Sequence, residues 1–470
     1  MDLIIQQLVE IMKSENKFII RELMVMKYLY LLMAKCLSLA LSQLDNEVCK
    51  EAKLKGYYVE KKVERTITFL IGTVTYKRRR MVNKEGKVKY PLDEYRGLHK
   101  RKRYSVLVLQ RISELASLTV YRNVAKSVEL LSNWTISHQK VKEIIDHVGS
   151  HIQDKKAIEL EPKEDKTNRE VKRLYIEGDG LMIRGDKKNK LTVHRFQVCE
   201  GVKTNGIRRE LIHPYFVSSL DRKEAWQEMN KYLHKTYDIV NMEMVSNSDG
   251  GSGYEVRVFE EFGGRRSLHK HYRDRYHVNR KIKERLNFAP ELQNEMLRAV
   301  YNKDMRQVRV LLDTAESIAT TITSSDKYQE QLVLLKSYLE RNWKYILSKG
   351  EQKELEIDGA CPVGTTESNH RKISYRMKRQ GRKWSAEGAE GMIRVIEAIR
   401  NNELCNLLDI PEAAIGKEAP DYDCILKGRV KFTHRKLKSS KNTGVRKGAI
   451  INIGSTSSPG GKLAKMFNGI

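Results

Sequence analysis

Three acidic residues stand in contexts suited to metal chemistry. They are Asp179 in Tyr175-Ile-Glu-Gly-Asp-Gly180, Asp249 in Val245-Ser-Asn-Ser-Asp-Gly-Gly251, and Glu367 in Thr366-Glu-Ser-Asn-His-Arg371. The two aspartates end apolar, strand-like runs and are followed at once by Gly, while the glutamate opens a basic helix. Hard oxygen ligands drawn from separate elements suit Mg²⁺, with Mn²⁺ as an alternative, because such a cation takes a few carboxylates and leaves positions for water and phosphate. Glu177 lies two residues before Asp179, so strand alternation puts both on one face and leaves either as the primary ligand. Helical spacing sets Glu367, His370, Arg371, Ser374 and Lys378 on one face, in a segment with seven basic residues and no acid from Arg371 to Lys383, of which Arg376 and Lys378 are expected to contact DNA. Asp186 and Asp221 fall near turns and read as caps. Gly250-Gly-Ser-Gly253 lacks the Gly-Lys-Ser/Thr of a P-loop and reads as a close-approach loop.

The elements that must position these acids follow from periodicity. Leu174 to Ile183, Thr192 to Val202 and Arg209 to Ser219 read as three strands, Arg222 to Tyr237 as a helix, and Ile239 to Val245 as a fourth strand. The strands carrying Asp179 and Asp249 are expected side by side. From Pro290 to Leu347 the pattern is helical throughout, so an all-helical block separates Asp249 from Glu367. Upstream, residues 1–60 read as two helices. Thr66 to Tyr76 reads as one strand, joined through the turn at Asn83-Lys-Glu-Gly86 to Lys87 to Tyr90. Val120 to Leu131 and Ile136 to Val148 resemble a helix-turn-helix capped at Thr135 or Ser137, whose second helix offers Ser137, His138, Gln139, Lys140 and Lys142 to a DNA groove. Gln153 to Arg173 reads as a linker.

The sign of the charge narrows the partner. Eighty-eight Lys and Arg against 60 Asp and Glu give a formal net charge of +28, which favours a polyanion. Between Lys77 and Arg103 there are twelve basic residues against three acids, including Arg78, Arg79, Arg80, Lys100, Arg101, Lys102 and Arg103, and this run is expected to track phosphates. The segment from Lys427 to Lys447 has nine basic residues and no acid, and reads as a loose phosphate-contacting extension. A membrane is set aside because Arg21, Glu22, Lys27 and Lys35 interrupt the apolar stretch from Phe18 to Leu44. The first residues do not read as a signal peptide, so a cytoplasmic, nucleoid-associated protein is expected. Six scattered Cys with no Cys-x-x-Cys pair are expected to be reduced thiols, mostly buried.

The blocks around Asp179, Asp249 and Glu367, together with His271-Tyr-Arg-Asp-Arg-Tyr-His-Val-Asn-Arg-Lys281, resemble those of bacterial insertion-sequence transposases of the ISLre group, over nearly the whole chain. The resemblance implies a DDE-class enzyme with an RNase H-like α/β catalytic domain, its mixed sheet interrupted by a helical insertion. It makes Asp179, Asp249 and Glu367 the triad, and it alone chooses Asp179 over Glu177. Asp274 and His277 match an acid-x-x-His signature expected to position DNA or the active-site loop. The implied organisation is 1–60 helical, 61–150 DNA-binding, 171–289 first catalytic part, 290–350 insertion, 351–400 Glu-bearing part and 401–470 basic extension. The implied partners are terminal inverted repeats and target DNA, bound by a homodimer or higher oligomer. The alternatives are a structure-selective nuclease on the same fold and a domesticated DNA-binding regulator without catalysis.

Overall fold

The computed structural model describes residues 2–410 except 15–16, 96–101, 162–167, 187–188, 207, 240–241, 264–267, 322–324, 358–359 and 380–381, and excepting the side chains at 208, 325 and 367. Lys100, Arg101 and the basic segment from 411 onward lie outside the described residues. The fold is mixed α/β.

The chain opens with α1 (Asp2–Lys13) and the long α2 (Phe18–Leu54). The second half of α2 lies on a three-stranded antiparallel sheet, β1 (Tyr58–Phe69), β2 (Gly72–Val82) and β3 (Val88–Lys89), through Leu41, Ile67, Val74 and Tyr76. By length and composition α2 could cross a membrane, although charges interrupt it. The single strand expected over Thr66 to Tyr76 is instead a hairpin, because Phe69 pairs with Gly72 and the chain reverses at Leu70 and Ile71. Two apolar residues at the tip hide this turn from a reading that looks for polar turn chemistry.

The short α3 (Pro91–Tyr95) leads to α4 (Val106–Leu118), α5 (Tyr121–Leu131) and α6 (His138–Glu159). Ser137 caps α6 by accepting from the Lys140 N–H. The helix then runs to Glu159, through much of the expected linker, because Val148, Ile152 and Lys156 continue its buried face. The helix pair is not a separate module. Its apolar residues form one core with Leu181, Ile183 and Val193 of the central sheet and with the C-terminal helices.

That sheet contains β4 (Arg173–Arg184), β5 (Lys190–Cys199) and β8 (Tyr215–Ser219) as antiparallel neighbours. Between β5 and β8 a separate two-stranded ladder forms from β6 (Gly201–Asn205) and β7 (Arg208–Ile212). The third strand expected over Arg209 to Ser219 is therefore split: His213 has φ of 44°, and Pro214 cannot donate to a ladder. After α7 (Arg222–Thr236), β9 (Glu243–Ser248) joins parallel to β4. After α8 (Val256–Gly263), β10 (Leu268–Arg273) joins parallel to β9. The resulting order is β10-β9-β4-β5-β8. One face is packed by α7 and α8 through Met229, Leu233, Phe259 and Phe262.

A helical bundle follows: α9 (Arg275–Arg285), α10 (Pro290–Tyr301), α11 (Met305–Thr321) and α12 (Ser325–Asn342), with its own core of Ile282, Met296, Val300, Leu311, Leu335 and Leu339. It begins at α9, ahead of the boundary at 290 read from the sequence, because Val278 and Ile282 belong to that core. The chain returns through α13 (Lys349–Leu355) to α14 (Thr366–Met377), α15 (Ala386–Arg400) and the single turn α16 (Leu404–Leu407). Residues 404–410 are not part of a loose extension, since Leu404, Leu407, Leu408 and Ile410 are buried in the core shared with α6.

The closest packing in that core is backbone on backbone. A Cβ added at Gly149 of α6 would lie 2.5 Å from the Gly391 Cα of α15, so the helices approach this closely only because residue 149 is glycine. Gly149→Val is expected to force them apart and destabilise the fold by at least about 2 kcal/mol, read as a lowered denaturation midpoint. An unchanged midpoint would contradict this packing.

Candidate active site

Two aspartates meet at the level where three parallel strands stop matching the rest of the sheet. Gly178 of β4 pairs with Ser248 of β9, and Ser248 pairs with Arg273 of β10. The next residues on these neighbouring strands are Asp179, Asp249 and Asp274. Adjacent strands lie about 4.8 Å apart, so the three residues stand close together at one end of the sheet.

Each is held differently. Asp179 Oδ1 accepts from the Gly180 N–H at 2.6 Å, and Asp249 Oδ1 accepts from the Gly251 N–H at 2.8 Å. The Asp249 loop is fixed by its glycines. Gly250 has φ of 76°, and a Cβ there would run into the Arg273 guanidinium, which packs beneath the turn. The Gly250-Gly-Ser-Gly253 run is thus pressed against the protein's own Arg273 and Arg222 side chains. Asp274 caps α9 and bonds the His277 ring at 2.8 Å, which raises the imidazole's pKa. The Asp274-Arg-Tyr-His277 signature is thus a helix cap and ion pair that follows β10 directly.

Burial and the neighbouring Asp249 charge push the Asp179 carboxyl up to about 7, while the Gly180 N–H and His277 oppose that rise. Two carboxylates that resist joint ionisation form a donor set that a divalent cation would relieve. Among the described residues no three His, Cys, Asp or Glu side chains form a metal-holding cluster, and the side chain of Glu367 lies outside them. The donors present fit a hard cation that takes one further oxygen ligand from a nearby element.

The nearest such element is α14. His370 Nε2 lies 3.3 Å from Asp179 Oδ2, and burial together with Arg195 and Arg400 drives the imidazole down to about 3, so it is neutral. The Nε2 forms no aligned hydrogen bond. Glu367 is the second residue of α14, three positions ahead of His370, so the helix backbone sets it about one turn away on the same face.

Glu177 resolves differently from Asp179. Its buried carboxylate accepts the backbone N–H groups of Gly364 (2.5 Å) and Thr365 (3.0 Å), the hydroxyls of Thr365 (3.1 Å) and Thr366, and the Gln197 amide (2.8 Å). It clasps the entry to α14 and has no lone pair left for a metal. Nothing in the local sequence signals this role, since every donor but Gln197 lies 187–189 residues away.

The sequence-derived DNA contacts divide. Arg78 pairs with Asp93, Arg79 with Asp45 at 2.7 Å, and Arg80 with Glu60. Arg78 and Arg79 hold the N-terminal sheet to α3 and α2, Arg80 ties β2 to β1, and the three do not form the free phosphate track expected of them. Arg376 is also structural: it is buried, donates to the Ala116 carbonyl at 2.6 Å, and stacks between Tyr121 and Trp384. Arg371 on α14 and Lys378 at its C-terminal cap are exposed. Arg103, His138 and Gln139 are exposed, Lys102 is half-buried, and Lys140 pairs with Glu143 within α6. Lys102, Arg103, Lys140 and His147 line one groove between α6 and the segment leading into α4.

Residues 13–406 match the model of an uncharacterised protein family, UPF0236. The chain belongs to the UPF0236 family. It is 36% identical over 439 residues to the "UPF0236 protein in vanSb 3′region" of Streptococcus gallolyticus, covering 91% of this chain and 92% of that protein. It is 23% identical over 425 residues to a UPF0236 protein of Caldanaerobacter subterraneus subsp. tengcongensis, covering 88% and 84%, whose name joins eleven TTE labels. A second protein of that bacterium, matched at the same identity, carries four such labels.

The clasp gives a direct expectation. Glu177→Ala leaves several buried donors unpaired and should cost about 3 kcal/mol or more in chemical denaturation, whereas Glu177→Gln, which keeps a carbonyl acceptor, should cost less. Equal and small losses would contradict the clasp.

Proposed function

We propose that this UPF0236 protein is a DNA transposase of the DDE class, with an RNase H-like catalytic core, that cuts the ends of its own element and joins them to target DNA. The observation that carries the reading is the meeting of Asp179 and Asp249 on adjacent parallel strands beside the helix that bears Glu367. The five-stranded mixed sheet and the helical bundle between Asp249 and Glu367 support the same assignment. A further support comes from the relatives: names that join eleven and four labels from one bacterium fit coding DNA that is itself copied.

In this reading Asp179, Asp249 and Glu367 hold Mg²⁺ or Mn²⁺. The cation, when bound, supplies Lewis acidity for phosphoryl transfer. Neutral His370 packs behind Asp179 and can donate a hydrogen bond without adding charge. Arg371 and Lys378, exposed on the same helix and at its C-terminal cap, are suited to hold the phosphate backbone, and Lys102, Arg103, His138 and Gln139 to grip the flanking duplex. Water attacks a phosphodiester at each element end and releases a 3′-hydroxyl. That hydroxyl then attacks a target phosphodiester in line, exchanging one P–O bond for another, and no covalent protein–DNA intermediate is required.

Asp179→Asn, Asp249→Asn and Glu367→Gln should each lower Mg²⁺-dependent cleavage of the element's end sequences by at least about 10³-fold while DNA binding in a gel-shift assay stays within a few-fold. Retained cleavage in all three would overturn the assignment. Pre-cut ends separate the rival nuclease, which would cleave but never join them, and binding without any metal-dependent turnover would mark a non-catalytic regulator.

A further inference from the structure

The N-terminal arm exposes apolar surface that the rest of the described chain does not cover. Thirteen large hydrophobic side chains between Leu3 and Leu39 are 38–76% exposed. At roughly 80 Å² apiece they present on the order of 1,000 Å², compared with about 800 Å² per partner in a stable interface. Helices with this character are normally buried.

The pattern of exposure is regular. In α1, Ile4, Leu8 and Ile11 are half-buried toward α2, and the Arg21 guanidinium donates to the Met12 carbonyl at 2.9 Å, so α1 folds back on α2 as a helical hairpin. A different stripe of α2, Ile19, Leu23, Met26, Tyr30 and Met33, advances by alternating steps of four and three residues. That is the spacing of a coiled-coil seam. The same stripe continues through Leu37 and Leu44, which pack on the β-hairpin of the same chain. It loses its cover where the hairpin ends. On α1, Ile5, Val9 and Met12 repeat the same spacing and are also bare.

We infer that this arm is a self-association element, in which the seam of one copy packs against the seam of a second to form a four-helix bundle. A membrane is the poorer fit. From Ala34 onward α2 is engaged by the hairpin, and Ser38 Oγ donates to the Thr75 carbonyl at 2.7 Å. The part ahead of the hairpin, Phe18 to Met33, is roughly 24 Å long at about 1.5 Å per residue, short of the ~30 Å hydrocarbon core, and it carries Arg21, Glu22 and Lys27. A seam of heptad spacing selects another helix, and a second copy supplies the identical seam about a two-fold axis. The proposal does not depend on the catalytic reading.

The test is the mass of the full chain in solution without DNA, at high salt, across the micromolar range. The expected result is twice the chain mass of 54.6 kDa or a higher even multiple, falling to a single chain in Leu23→Glu/Met26→Glu with unchanged far-ultraviolet circular dichroism. A wild-type monomer throughout, or a folded variant that remains a dimer, would overturn it. If the variant does not fold, mixed light and heavy wild-type chains treated with an amine cross-linker decide. Links between copies joining Lys13, Lys17, Lys27 or Lys35 support the seam, and links confined to other regions refute it. Salt-resistant flotation with vesicles of phosphatidylglycerol and phosphatidylethanolamine would assign the arm to a membrane instead.

Discussion

The structure depends on one buried carboxylate. Glu177 sits on the strand of Asp179 and gathers the backbone and hydroxyl groups of residues 364–366 at the start of α14. Burial raises the pKa of Glu177, and the hydrogen bonds from Thr366, Thr365 and Gly364 oppose that rise by favouring the anion. An uncompensated charge in this place would be costly, so the clasp is satisfied only when α14 is seated on β4. The same contact that satisfies the charge thereby fixes Glu367 and His370 relative to Asp179.

The clasp also explains how a long helical bundle is tolerated between β10 and α14. The bundle leaves the sheet after β10 and comes back beside it, where Arg273 donates to Asn342 at 2.8 Å and packs over the Tyr345 ring. The same guanidinium reaches Ser248 Oγ at 3.3 Å, one residue before Asp249. Departure and return of the bundle are therefore pinned beside one acid, and the chain's next commitment, at Glu177, is beside another. Between these two points the bundle packs about its own core.

Much of this was legible in the sequence, for identifiable reasons. The apolar runs before Asp179 and Asp249 mark strands, and the stripe from Leu297 to Trp343 marks the bundle, because burial on one face leaves a period. The roles of individual charges were not legible. A count of basic residues from Lys77 to Arg103 averages over faces and is blind to Asp45, Glu60 and Asp93, which neutralise Arg78, Arg79 and Arg80. Arg376 was misread in the same way, since only its place three residues after the buried Ile373 hints that it points inward. Two signals were present and passed over: Asn205-Gly206, a hairpin turn, and the apolar face of α6 continuing through Ile152. The choice between Glu177 and Asp179 could not be made locally, because alternation assigns both to one face and only the distant residues 364–366 tell them apart.

The central claim is that Asp179, Asp249 and Glu367 converge on one cation, and its most direct test is cleavage of the protein's own backbone by a metal bound there. Fe²⁺ in place of Mg²⁺, with ascorbate and peroxide, generates short-range radicals, and the fragments can be mapped by mass spectrometry. Cuts clustered near residues 179, 249 and 367, suppressed by excess Mg²⁺ and lost in Asp179→Asn, are the expected result. Cuts that omit the start of α14, or that scatter without competition by Mg²⁺, would contradict the account.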